Sequence, residues 1–221
     1  MSYETSIEEA EDTAEKGFQC AGFISQFMKN RWENSLKHIE PKNLKQTILI
    51  GLWQRAYCWL QTLAKLNKTA DFQAIATASR ALLEIYVDMV FIHFDKTNEK
   101  ADKLYWWHQS EKFKAFDMQI EFERKKNLVS DSSIVNFINE NKVGIEQNRL
   151  RIWGTKNHPG DRWTRKSLEN DVKEVDELCL SETEKFLGNS LEHYYATEYR
   201  RSIWDIHSGI TSKHQTKYFA V

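Results

Sequence analysis

The sequence predicts an all-α protein, a helical bundle of six to seven helices, and three observations carry that expectation. Only two prolines and eight glycines interrupt 221 residues, and so few breakers favour long helices. Apolar residues recur at three- and four-residue spacing, the period of an amphipathic α-helix. No stretch makes a convincing strand, with strict apolar–polar alternation. Both prolines, Pro41 and Pro159, fall between helical stretches, where an up-and-down bundle needs its turns.

The first helix is expected from Ser6, because Ser6-x-x-Glu9 spells a capping box and acidic residues fill the first turn. Phe23, Phe27 and Met28 carry it at helical spacing to about Lys37. A second follows Pro41, with Leu44, Ile48, Leu52, Trp59 and Leu63 in register. The third spans Asp71 to Phe94 and is apolar on all sides, which suits a central position. The fourth runs from Asn98 to Lys126 and the fifth from Ser132 to Trp153. The loop GTKNHPGDRWT and a short helix, Lys166 to Leu178, come next. The last long helix is expected from Glu182 to His207. Ser181-x-x-Glu184 would cap its start and Gly209 its end. The chain thus reads as one helical domain, 1–221. Residues 1–40 form a long N-terminal helix, packed along the bundle or used as an arm for dimerisation.

A 41% share of hydrophobic residues and 13% of aromatics supply a sizeable core, which argues against disorder. The formal net charge of −1 gives no whole-chain basic footprint for nucleic acid. Cys20, Cys58 and Cys179 are odd in number and far apart, with no CxxC. They read as free thiols of a cytoplasmic protein. The N-terminus is acidic without an apolar centre, unlike a secretory signal. No run of about 18 apolar residues spans a membrane. There is no P-loop, no GxGxxG, no His-Glu-x-x-His and no Glu-x-x-His tetrad, so neither metal nor cofactor is expected.

Chemistry-bearing residues fall in three places. On the third helix Arg80 and Glu84 stand four apart. Since the helix should be buried, they are expected to be buried and paired, because a lone buried charge is costly. They either fix the packing register or orient a catalytic side chain on a neighbouring helix. On the last helix His193, Arg200 and His207 recur every seven residues and share a face, drifting only about 20° per step. The third place is the loop before the last helices. Arg149, Arg151, Lys156, Arg162, Arg165 and Lys166 flank it and form the best local basic patch. Of these, Arg162, Arg165 and Lys166 are candidates to meet RNA backbone. The cluster Tyr105-Trp106-Trp107-His108 is core and interface before it is a stacking platform for bases.

The stretches SRALLEIYVDMVFI, HPGDRWTRKSLENDV and YYATEYRRSIWDIHSG together resemble a bacterial all-helical family, domain of unknown function 5677, over residues 70–210. The elements that match are Arg80 with Glu84, Trp163 with Lys166-Ser167-Leu168, and Tyr199-Arg200 with His207. Ile203 stands where that pattern has Ser. An Arg and a His separated by four to six intervening residues, as Arg200 and His207 are by six, are also similar to the mark of the HEPN superfamily. The resemblance implies a metal-independent endoribonuclease, a component of toxin–antitoxin or phage-defence systems. Two copies would share one cleft, with RNA as substrate and an antitoxin or other protein as partner. Arg200, with Arg201 in reserve, would hold the scissile phosphate, His207 would transfer the proton, and Arg80, Glu84 and Tyr199 would support them. Arg31/His38 and Arg151/His158 satisfy the same spacing. The rival expectation is a non-catalytic helical module that keeps the fold and binds a partner.

Overall fold

The computed structural model describes residues 3–66, 71–181 and 190–200, without the side chains of 3–14 and Phe72. Among the described residues there are seven α-helices and no strand. They are α1 (Tyr3–Asn34), α2 (Leu44–Lys65), α3 (Phe72–Phe94), α4 (Glu99–Lys125), α5 (Ser132–Trp153), α6 (Leu168–Cys179) and α7 (Leu191–Tyr194). A 3-10 turn, Leu36–His38, follows α1, and α7 runs straight into a π turn, Tyr195–Tyr199. None of these helices is long and apolar enough to cross a membrane.

Local chemistry explains the boundaries. The Asn43 side chain accepts from the Gln46 amide at 2.9 Å and starts α2 just after Pro41. The Asp131 carboxylate accepts from the Ser133 amide at 2.7 Å and starts α5. Gly154 ends α5 at φ 68°, where its amide donates to the Leu150 carbonyl at 2.9 Å. A side chain there would be strained, since only glycine enters that region without cost. α1 is already helical at Tyr3, the first described residue and three before the expected Ser6 cap, since nothing between Tyr3 and Ser6 breaks a helix.

The chain divides into two compact units, residues 1–93 with 172–221, and residues 94–171. In the first unit α1 packs on α2. Trp32, Trp53 and Tyr57 stack in series along that seam with centroids 6.2 Å apart. α3 supplies the deepest residues, with Ala78, Val87 and Ile92 at 0% exposure and Phe91 at 1%. In the second unit α4 packs on α5, Phe116 meets Phe137 edge-on at 5.3 Å, and Leu104 and Ile145 are buried.

The final helix departs from the expectation. Ser190 is extended (ψ 148°), and its hydroxyl accepts from the His193 amide at 3.1 Å, so a new helix starts at Leu191. Residues 182–189, with most of the expected Ser181-x-x-Glu184 box, lie outside the described residues. The π turn adds a residue to one turn and rotates everything after it. His193 and Arg200 therefore do not keep the seven-residue phase of an uninterrupted α-helix, although both are exposed.

Candidate functional site

In the first unit, α3 and the π turn that follows α7 meet at Tyr199. Tyr199 closes the π turn and is 5% exposed. Its hydroxyl donates to the Glu84 carboxylate at 2.8 Å and receives a long bond from the Arg80 guanidinium at 3.4 Å. The guanidinium also lies over the Tyr199 ring, 5.1 Å from its centroid, a cation–π contact. Tyr195 also stacks on the Tyr199 ring, with centroids 5.0 Å apart. The expected burial and pairing of Arg80 with Glu84 is thus corrected. Both are half-buried, and Tyr199 bridges them from a distant part of the chain. Helical spacing put the two charges on one face, but it carried no sign of the tyrosine between them. Burial pushes the Tyr199 hydroxyl above the ordinary tyrosine range, with the neighbouring Glu84 adding to that, so it stays a neutral donor.

Asp176, on α6, anchors the start of α7 ahead of that turn. It is 4% exposed, and its two oxygens accept from the Leu191 amide at 2.9 Å and the Glu192 amide at 2.8 Å. A carboxylate at a helix start satisfies orphan amides and complements the dipole. No expectation had named Asp176. The available signal was its place beside Val172 and Val175 on the buried stripe of α6, where an acid needs a partner.

Arg200 follows Tyr199 directly and is exposed. Arg201 and His207 lie outside the described residues. The two other Arg/His pairs differ from it. Arg151 holds Asp102 at 2.6 Å, and His158 contacts Glu111. Arg31 sits over the Phe27 ring at 5.8 Å.

The basic loop belongs to the second unit. Arg162 Nε donates to Asp171 Oδ2 at 2.7 Å, with the arginine side chain 15% exposed and the carboxylate fully buried. Thr164 also donates to Asp171, at 2.9 Å. Arg165 stands at φ 60° and donates to the Trp153 carbonyl at 3.1 Å, and Trp163 is buried beneath the loop. Arg165 and Lys166 are exposed and, with Gly160 and Ser167, line an open recess of about 620 Å³. Arg149, counted by its charge into the same surface patch, is instead buried at 7%. It donates to the Ser110 hydroxyl at 2.9 Å and the Lys156 carbonyl at 3.1 Å. The Trp107 indole donates to the Gly160 carbonyl at 2.9 Å, and the aromatic cluster around it makes edge contacts. Among the described residues no group of three or more His, Cys, Asp or Glu could hold a metal ion.

His158 fastens this loop. Its Nδ1 accepts from the Gly160 amide at 3.2 Å while Nε2 faces Glu111. Burial holds it below the ordinary histidine range, with Lys114 and Arg149 adding to that against Glu111 and Asp161. A folded-state pKa below the unfolded one means that the unfolded chain takes up the proton first. The His158 contribution is therefore full above about pH 6.5 and is lost as pH falls toward its lowered folded-state value. Urea titrations at pH 7.5 and 5.5 should show a larger loss in the wild type than in His158→Gln. Equal losses would remove His158 from the account.

Tyr199→Phe removes only the bridging hydroxyl and leaves a half-buried carboxylate without its donor. The expected cost is about 1–3 kcal/mol in urea unfolding. An unchanged midpoint would mean that the bridge holds nothing in place.

A family model described as "Family of unknown function (DUF5677)" matches residues 46–218. No curated protein and no solved structure matches the chain.

Proposed function

Because the chain belongs to the family of unknown function DUF5677, we propose from its own residues that it is a HEPN-like, metal-independent endoribonuclease. It would act in the cytoplasm as a homodimeric toxin or phage-defence component, held in check by an antitoxin or other partner protein. One observation supports this reading above the others. A π turn, a feature frequent at functional sites, is clamped by Glu84 and Arg80 through Tyr199, and the next residue, Arg200, faces solvent. A rigid backbone beneath an exposed arginine is what phosphate binding requires, since a guanidinium fork grips two oxygens at once.

In this reading Arg200, with Arg201 beside it, holds the scissile phosphate and the charge that develops on it. His207 takes the proton of the ribose 2′-OH. The 2′-oxygen bonds to phosphorus and the P–O5′ bond breaks. The leaving oxygen takes a proton from the imidazolium of the partner's His207. Arg165 and Lys166 attract RNA backbone by charge, and the Asp171 pairing of Arg162 stiffens the loop that carries them.

The test is to incubate the purified chain, without any antitoxin, with total RNA and tRNA in the presence of a chelator. Fragments ending in 2′,3′-cyclic phosphate are expected. Cutting no greater than that of a His207→Ala preparation would leave the non-catalytic binding module as the function.

A further inference from the structure

One residue of the second unit is held at both its amide and its carbonyl by side chains. The Gly160 amide donates to His158 Nδ1 at 3.2 Å, and the Gly160 carbonyl accepts from the Trp107 indole at 2.9 Å. Gly160 stands at φ 108°, a conformation open to glycine without steric cost. Pro159 beside it is buried. The chain is tied down again on either side of this corner. Arg149 donates to the Lys156 carbonyl at 3.1 Å, and Arg162 donates to Asp171 at 2.7 Å. Residues 157–161 are the span between those two ties, and His158 and Trp107 fix its middle.

The first of these bonds sets the protonation of the ring. A backbone N–H can only donate, so Nδ1 carries a lone pair and the imidazole proton sits on Nε2, toward Glu111. Imidazolium carries N–H groups on both nitrogens. Its Nδ1–H would point at the Gly160 N–H and turn the attraction into a repulsion. Four charged groups face the ring: Glu111 and Lys114 from α4, Arg149 from α5 and Asp161 from the corner itself. The two acids favour imidazolium, but burial together with Lys114 and Arg149 outweighs them. We propose that neutral His158 is a latch on residues 157–161, and that a proton on Nδ1 releases Gly160 and reshapes the recess beside it.

Pro159 and Gly160 line that recess together with Arg165 and Lys166. Freeing Gly160 therefore removes a fixed part of the lining, while the Asp171 tie keeps Arg162 in place. Once the corner is released, the ring meets water and takes up a proton more readily than in the closed corner. Release thus begins as pH falls through about 6.5, the ordinary histidine value, and is complete below the lowered closed-state value. The latch goes beyond the proposed function and does not rest on it. Amide exchange reads the corner and RNA cutting reads the site, so either can fail alone.

The experiment uses the full chain and follows hydrogen exchange of the Gly160 amide by NMR, corrected for the intrinsic effect of pH. Between pH 7.5 and 5.0 its protection should fall roughly threefold to tenfold, the worth of about one hydrogen bond. The amides of Leu104 on α4 and Ile145 on α5 should keep theirs. Ring nitrogen shifts at pH 7.5 should place the His158 proton on Nε2. His158→Gln offers Gly160 an amide oxygen that does not titrate, so its protection should not change with pH. Glu111→Gln withdraws an attraction for the imidazolium of the closed corner, so its fall should exceed that of the wild type. Unchanged protection in the wild type would overturn the proposal. So would an equal fall in His158→Gln, a smaller fall in Glu111→Gln, or a proton on Nδ1 at pH 7.5.

Discussion

Asp171→Ala is expected to destabilise the protein by about 3–5 kcal/mol, the usual cost of breaking a buried ion pair by removing one partner. Asp171 is fully buried, and its Oδ2 takes both the Arg162 guanidinium and the Thr164 hydroxyl. Without it, Arg162 loses its contact with a fully buried carboxylate at a place where its own side chain is only 15% exposed. Oδ1 has no hydrogen-bond partner, so part of the pair's desolvation is uncompensated in the wild type as well. Asp171→Leu with Arg162→Met should therefore lose much less than Asp171→Ala, since well-packed apolar replacements of a buried pair are often neutral. Urea denaturation of the three variants decides it. An Asp171→Ala loss below about 1 kcal/mol, in the range of exposed pairs, would mean that the loop does not depend on this contact.

The helices were readable from the sequence because their ends are written locally. Asn43 after Pro41, Asp131 before Ser133 and Gly154 after Trp153 are short-range devices, and α2 to α6 fall within a few residues of their expected bounds. The polar contacts inside the units were not readable, because each joins residues far apart in the chain. Arg149 looked like a surface charge until Ser110 and the Lys156 carbonyl enclosed it. Glu84 and Arg80 looked like an i,i+4 pair until Tyr199 came between them. The π turn carries no period of its own in a five-residue stretch, and Asp176, which holds the start of α7 before it, comes from α6. Of the candidate site, Arg80, Glu84 and Tyr199 meet in one contact, and Arg200 follows Tyr199 in the chain. The chemistry asked of His207 rests on its spacing from Arg200.

That spacing supports the second large effect. His207→Ala is expected to lower RNA cutting about 10²–10⁴-fold, the typical contribution of a positioned acid–base group. A urea midpoint measured on the same preparation separates lost cutting from lost folding. Arg200→Lys tests the other half of the motif. Lysine keeps the positive charge but presents a point where arginine presents a planar fork, so RNA binding should survive better than turnover. Tyr199→Phe leaves Arg200 in the chain but loosens the turn that carries it. Its loss should fall on kcat rather than on KM, because a misplaced group costs most in the transition state. If all three variants cut like the wild type, the activity comes from elsewhere. If Tyr199→Phe lowers stability and leaves kcat alone, the Glu84–Tyr199–Arg80 bridge is a packing device and Arg200 does not depend on it.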